Sequence, residues 1–193
     1  MPVVLIGSIG FLFCFLYDHN SIRLKKRFLH LSFGIGCFLI AVSTVLVIWD
    51  CWPRQGASFF ISAVFLTALI VFLGLLIYTL FFAIPFDETY MKENHERLAC
   101  TEGVYALCRH PGVLWFTGFY LCLSGFLGSV KALRVFMVFI VWNILYICYQ
   151  DRVVFPETFS NYRAYRMNTP FLIPNHSSVA ACIKTWHKKG GWQ

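Results

Sequence analysis

Five uncharged apolar runs leave this chain few ways to fold. Met1–Tyr17, Leu29–Ile48, Gln55–Phe86, Pro111–Val130 and Val135–Gln150 contain no Asp, Glu, Lys or Arg, and His30 is the only other ionisable side chain in the second run, Cys and Tyr apart. About 20 apolar residues make a helix that crosses a ~30 Å hydrocarbon core, and a helix satisfies its own backbone groups there. Only 13% of the 193 residues are charged, against about 25% in soluble domains. The chain therefore reads as an all-α integral membrane protein with five transmembrane helices, the first and last of them short, and no separate soluble domain. Met1–Tyr17 has neither a basic leader nor a small-x-small cleavage site, so it is expected to be a retained helix.

The basic residues set the expected orientation. Arg23, Lys25, Lys26 and Arg27 follow the first run; Lys92, Arg97 and Arg109 follow the third. Arg152, Arg163, Arg166, Lys184, Lys188 and Lys189 follow the fifth. Only Arg54, Lys131 and Arg134 fall on the other side. Positive residues stay cytoplasmic, which puts the N-terminus outside and Arg109, His110 and the C-terminus in the cytoplasm. The net charge of +7 reflects this asymmetry and favours anionic lipid. Basic and aromatic residues are not interleaved as in a nucleic-acid binder.

The eight cysteines show no Cys-x-x-Cys and no Cys/His cluster at zinc spacing, so no metal site is expected. Cys14, Cys37, Cys122 and Cys148 lie inside apolar runs, where Cys packs as a small hydrophobe. Gly7, Gly10, Gly34 and Gly36 suit close helix packing.

Polar chemistry gathers late in the chain. Residues 1–86 read as a three-helix transmembrane scaffold, 87–174 as a catalytic core, and 175–193 as a basic amphipathic tail. Apart from Asp18 and Asp50, every acid belongs to the second part: Asp87, Glu88, Glu93, Glu96, Glu102, Asp151 and Glu157. There, Tyr105-Ala-Leu-Cys-Arg109-His110-Pro111-Gly112 interrupts the apolar pattern, and a polar run of this kind is costly in hydrocarbon. Gly125-Phe-Leu-Gly128-Ser breaks the helices on either side into a hairpin, expected to return Gln150 and Asp151 to the rim holding Arg109 and His110. Beyond it, Tyr162 and Tyr165 share a helical face that Pro170 ends. Ser177 is the expected cap of a last helix carrying Val179, Ile183 and Trp186 on one side, an interfacial segment.

Taken together, Gly103-Val-Tyr105-x-x-x-Arg109-His110-Pro111, the hairpin, the polar pair Gln150-Asp151, Tyr162-x-x-Tyr165 and Pro170-Phe-Leu-Ile-Pro174 resemble the membrane methyltransferase superfamily. That group holds the isoprenylcysteine carboxyl methyltransferases and the phospholipid N-methyltransferases, and the resemblance covers residues 97–174. It implies a cytoplasmic pocket for S-adenosylmethionine lined by Tyr105, His110, Pro111, Gly112, Cys100 and Gln150, with Asp151 and Arg109 as catalytic residues. The family's adjacent glutamates correspond to Gln150 and Asp151, the Tyr after its Pro to Val113, and the Arg of prenylcysteine enzymes to Tyr146.

The implied reaction is transfer of a methyl group to a small or lipophilic acceptor on O, N or S, the acceptor entering from the bilayer. In-line positioning supplies much of the rate of such a transfer. An amine or thiol acceptor must also lose a proton, to Asp151, Glu102 or His110. Two other readings are open: an NADPH-dependent membrane reductase, although no dinucleotide glycine fingerprint is present, and an inactive membrane scaffold of the same fold.

Overall fold

The computed structural model describes residues 2–52, 59–83 and 97–189, with side chains as far as Trp186. Arg54, Asp87, Glu88, Lys92, Glu93, His95 and Glu96 lie outside these residues. The described chain is helical, without strands. Its α-helices are α1 (Pro2–His19), α2 (Leu31–Cys51), α3 (Phe59–Ile77), α4 (Val104–Leu107), α5 (Pro111–Leu127), α6 (Val130–Tyr149), α7 (Phe155–Thr158), α8 (Tyr162–Asn168) and α9 (His176–Lys189). Wider π-helical turns extend α1, α3 and α6 over Asn20–Leu24, Tyr78–Phe82 and Gln150–Val154.

Four stretches are long and apolar enough to cross a membrane: Pro2–Leu24, Arg27–Cys51, Phe59–Phe82 and Val130–Thr158. Helix α5 is apolar but shorter, at 17 residues. Many large apolar side chains point outward; on α3 no residue is buried, and Phe59 is 89% exposed. So wide an apolar surface suits lipid and not water.

Two of the helices run further than their apolar stretches. The first continues past Tyr17 through Asp18 because that carboxylate accepts a hydrogen bond from Gln150 Nε2 at 2.8 Å. The last long helix starts at Val130 instead of Val135: Ser129 caps it by accepting from the Ala132 N–H at 3.2 Å, and Lys131 pairs with Asp50 at the exposed end. Charges that find a partner or the surface need not end a helix.

The chain forms two compact units, Met1–Phe72 with Phe116–Val154 and Leu73–Trp115 with Phe155–Gln193. The first is built on α1, α2 and α6. Gly10 and Gly36 let α1 and α2 approach until a Cβ on either would meet the other's carbonyl oxygen at 2.8 or 2.6 Å. This is the small-residue packing that membrane helices use; Gly34 instead faces open space. An aromatic core of Phe11, Tyr120, Phe136 and Phe139 fills the unit, with the Tyr120 and Phe136 rings 4.7 Å apart. The Tyr120 and Thr44 hydroxyls meet at 2.8 Å, so neither is left bare in this interior. After α1 the chain turns through Lys25, at φ 52°, and the Asn20 carboxamide exchanges hydrogen bonds with the backbone of Lys26.

The second unit holds α4, α7, α8 and α9. Helix α8 ends at Asn168, one residue before the extended Thr169 and two before Pro170, as the proline requires. The cap of α9 is Asn175, not Ser177. Asn175 Oδ1 accepts from the Ser178 N–H at 2.8 Å while Ser178 Oγ accepts from the Asn175 N–H at 3.0 Å, a reciprocal capping box. Ser177 donates its hydroxyl to the same carboxamide.

Candidate functional site

The interrupted apolar pattern at 103–111 becomes a buried knot in the second unit. Gly103 starts it with φ 61° and ψ −131°, a conformation open only to glycine without strain. Its N–H donates to Thr185 Oγ1 of α9 at 2.9 Å. One turn of helix, α4, then presents Tyr105, and the extended Cys108 leads to Arg109, His110 and Pro111, the first residue of α5. Proline suits that first position because its missing N–H would have no helical partner there.

The tail closes on this segment through hydrogen bonds and ring contacts. The Arg109 N–H donates to the Pro170 carbonyl at 2.9 Å. Its guanidinium donates through Nη1 to the carbonyls of Arg166 at 2.8 Å and Thr169 at 3.0 Å. The same guanidinium stands 5.5 Å from the centre of the Phe171 ring, a cation–π contact. Tyr165 donates its hydroxyl to the Tyr105 carbonyl at 2.7 Å, and Tyr105 donates its own to the Thr79 carbonyl at 3.0 Å. Upstream, the Asn161 carboxamide forms two hydrogen bonds with the backbone of Ala99, and the Ser160 N–H donates to the Arg97 carbonyl.

His110, 6% exposed, is held by rings. Phe155 stacks on it, with centroids 5.7 Å apart and planes 12° from parallel, and Phe171 meets it edge-on at 5.2 Å. Phe155, Tyr162 and Tyr165 continue the aromatic wall, at 5.5 and 5.9 Å between successive rings. Burial pushes the Cys108 thiol up from 9.0 to about 11, so it is neutral and unreactive near pH 7. Burial likewise raises the Tyr165 phenol well above its usual range.

Tyr105, Arg109 and His110 are thus joined with the tail; Pro111 is fully buried and Gly112 half-buried at the start of α5. Cys100 is half-buried, its thiol 4.0 Å from the Ala83 carbonyl and 3.9 Å from that of Glu102. Gln150 and Asp151 belong to the first unit, on the π-helical end of α6. Gln150 is bonded to Asp18 there, and Asp151 is buried, 3% exposed. Sequence reasoning missed Thr79, Asn161, Phe155 and Thr185. Thr79 carries no charge and sits in an apolar run, yet besides accepting from Tyr105 it accepts from the Trp115 indole N–H at 3.0 Å. Only Asn161, a lone carboxamide ahead of a helix, offered a local signal.

No family model, curated protein or solved structure matches the chain.

Proposed function

We propose that the chain is an integral membrane methyltransferase that moves a methyl group from S-adenosylmethionine to a small or lipophilic acceptor. One observation carries this reading. The two stretches whose pairing the resemblance implies, 105–111 and 162–171, are hydrogen-bonded and ring-packed into one buried aromatic and polar cluster. In this reading α5, near the lower limit of about 17 residues for a span, is a fifth crossing that forms a hairpin with α6, and the site opens to the cytoplasm.

The residues fit the cofactor's chemistry. His110, Phe155, Tyr162 and Phe171 offer ring faces that tolerate a sulfonium cation and stack on a purine. Tyr105, Pro111, Gly112 and Cys100 complete the lining, with Gln150 as a hydrogen-bonding contributor. When bound, S-adenosylmethionine supplies an electrophilic methyl group. Arg109 acts here as a positioning residue: by holding the carbonyls of Arg166 and Thr169 it fixes Phe171 against His110. Asp151 is the residue proposed to accept the proton of an amine or thiol acceptor.

Titration of the detergent-purified protein with S-adenosylmethionine, its demethylated product and NADPH tests the reading. Saturable binding of the first two, weakened about tenfold in His110→Ala as expected for loss of a stacked ring, supports it. Asp151→Asn should then lower turnover more than cofactor affinity. Binding of NADPH alone makes the chain a reductase, and binding of none by folded protein makes it an inactive scaffold.

A further inference from the structure

Two thiols meet where α1 packs on α2 in the first unit, and neither belongs to the methyl-transfer reading. Cys14, on α1, is buried, and Cys37, on α2, is exposed. A Cβ on Gly36 would stand 2.8 Å from the Cys14 sulfur, so the absent side chain at 36 seats that sulfur against α2, beside Cys37. The thiols are hydrogen-bonded to each other, the Cys14 S–H donating to the Cys37 sulfur. A Cβ on Gly10 would likewise meet the Gly36 carbonyl oxygen at 2.8 Å, so backbone contact between the helices fixes the pair. Packing as a small hydrophobe accounts for the buried thiol. It does not account for a second thiol that bonds the first and faces outward.

The surroundings describe what reaches the outer sulfur. Cys14 and Cys37 each lie ten or more residues from either end of their membrane-length stretches, Pro2–Leu24 and Arg27–Cys51. At about 1.5 Å per residue that is roughly 15 Å of apolar helix, half of a ~30 Å core. Phe33, Ile35 and Phe38 around Cys37 are exposed as well. A reactant for Cys37 therefore arrives through hydrocarbon, which excludes glutathione and other charged oxidants. An acyl-chain hydroperoxide is such a reactant, and its terminal oxygen needs only an exposed sulfur. The thiolate is the attacking form, and the S–H donated by Cys14 favours negative charge on the Cys37 sulfur.

We propose that Cys37 and Cys14 reduce a lipid hydroperoxide to the lipid alcohol and close into a disulfide joining α1 to α2. The Cys37 sulfur attacks the terminal peroxide oxygen, the O–O bond breaks, and the Cys37 proton goes to the departing lipid oxygen. One lipid alcohol leaves, and Cys37 is a sulfenic acid. The Cys14 sulfur then displaces the hydroxyl of that sulfenic acid to form the S–S bond, and the Cys14 proton departs with the hydroxyl as water. The two thiols lose two electrons and the peroxide gains them.

The test uses the full chain in phosphatidylcholine nanodiscs carrying the hydroperoxide of linoleoyl phosphatidylcholine. Peptide mapping should show a Cys14–Cys37 cross-link within one chain, with one hydroxy lipid formed per chain. Cys14→Ser should halt at the Cys37 sulfenic acid, trapped by dimedone. Cys37→Ser should lose most of the hydroxy lipid and leave Cys14 a thiol. Because Cys37 is exposed, this second variant decides the matter should Cys14→Ser not fold. The proposal fails if the wild type keeps both thiols, if the cross-link joins two chains, or if Cys37→Ser yields as much hydroxy lipid. It also fails if hydrogen peroxide in the water phase forms the cross-link as readily.

Discussion

The guanidinium of Arg109 bonds two main-chain carbonyls of the tail, so its replacement acts first on the fold around it. Arg109→Met strips both carbonyls of this donor and should cost about 2 kcal/mol of stability. Arg109→Lys keeps the charge but loses the planar fork and should fall between. Thermal melting of the purified variants checks the order. Much of this site was legible residue by residue. Tyr105, Arg109 and His110 stand out because charge and ring chemistry are anomalous in an apolar chain. Asp18 did not stand out: next to Arg23, Lys25 and Lys26 it resembled the polar edge of a span. Its partner Gln150 is 132 residues away, a pairing no local pattern encodes.

At the scale of elements, α9 does more than present an apolar stripe. Val179, Ile183 and Trp186 are exposed as an interfacial helix requires, but Thr185 takes the Gly103 N–H and Trp186 packs on Tyr78 at 5.7 Å. Thr185→Val should therefore leave a buried N–H unpaired and destabilise the second unit by about 1–3 kcal/mol, whereas Thr185→Ser should be nearly silent. Gly103→Ala meets no atom within 4 Å, so its penalty is conformational, about 1–3 kcal/mol. Hydrogen exchange at α4 and α9 distinguishes these effects from a global loss. The end of α8 was readable because Pro170 fixes it locally. The π-helical ends of α1, α3 and α6 were not. Those of α3 and α6 carry a polar residue, Thr79 or Gln150, whose partner lies far off in the sequence, and a widened turn shows no hydrophobic period of its own.

At the scale of the whole molecule, alkaline pH is the condition to which the fold should be most sensitive. Cys108 is pushed from 9.0 to about 11 by burial. Below pH 9 it is neutral whether the chain is folded or unfolded. Between pH 9 and 11 only the unfolded chain releases the proton, so stability falls across that window by an amount on the order of 2 kcal/mol. Tyr165, raised in the same direction, extends the loss to higher pH. Melting midpoints should thus be level from pH 7 to 8.5 and fall by pH 10.5. Cys108→Ala should reduce the slope, and an unchanged slope would contradict the assignment.

The tie between α1 and α6 also has a consequence in time. Ser8 meets Trp142, Asp18 meets Gln150 and His19 meets Tyr149 across 134, 132 and 130 residues of chain. At cellular rates of synthesis that interval is on the order of ten seconds. Throughout it the first helix stands in the translocation machinery or the bilayer with its acid and its hydroxyl unmet. Whatever insertase or quality-control protease inspects nascent membrane proteins meets α1 in that unfinished state, and the arrival of α6 ends its exposure.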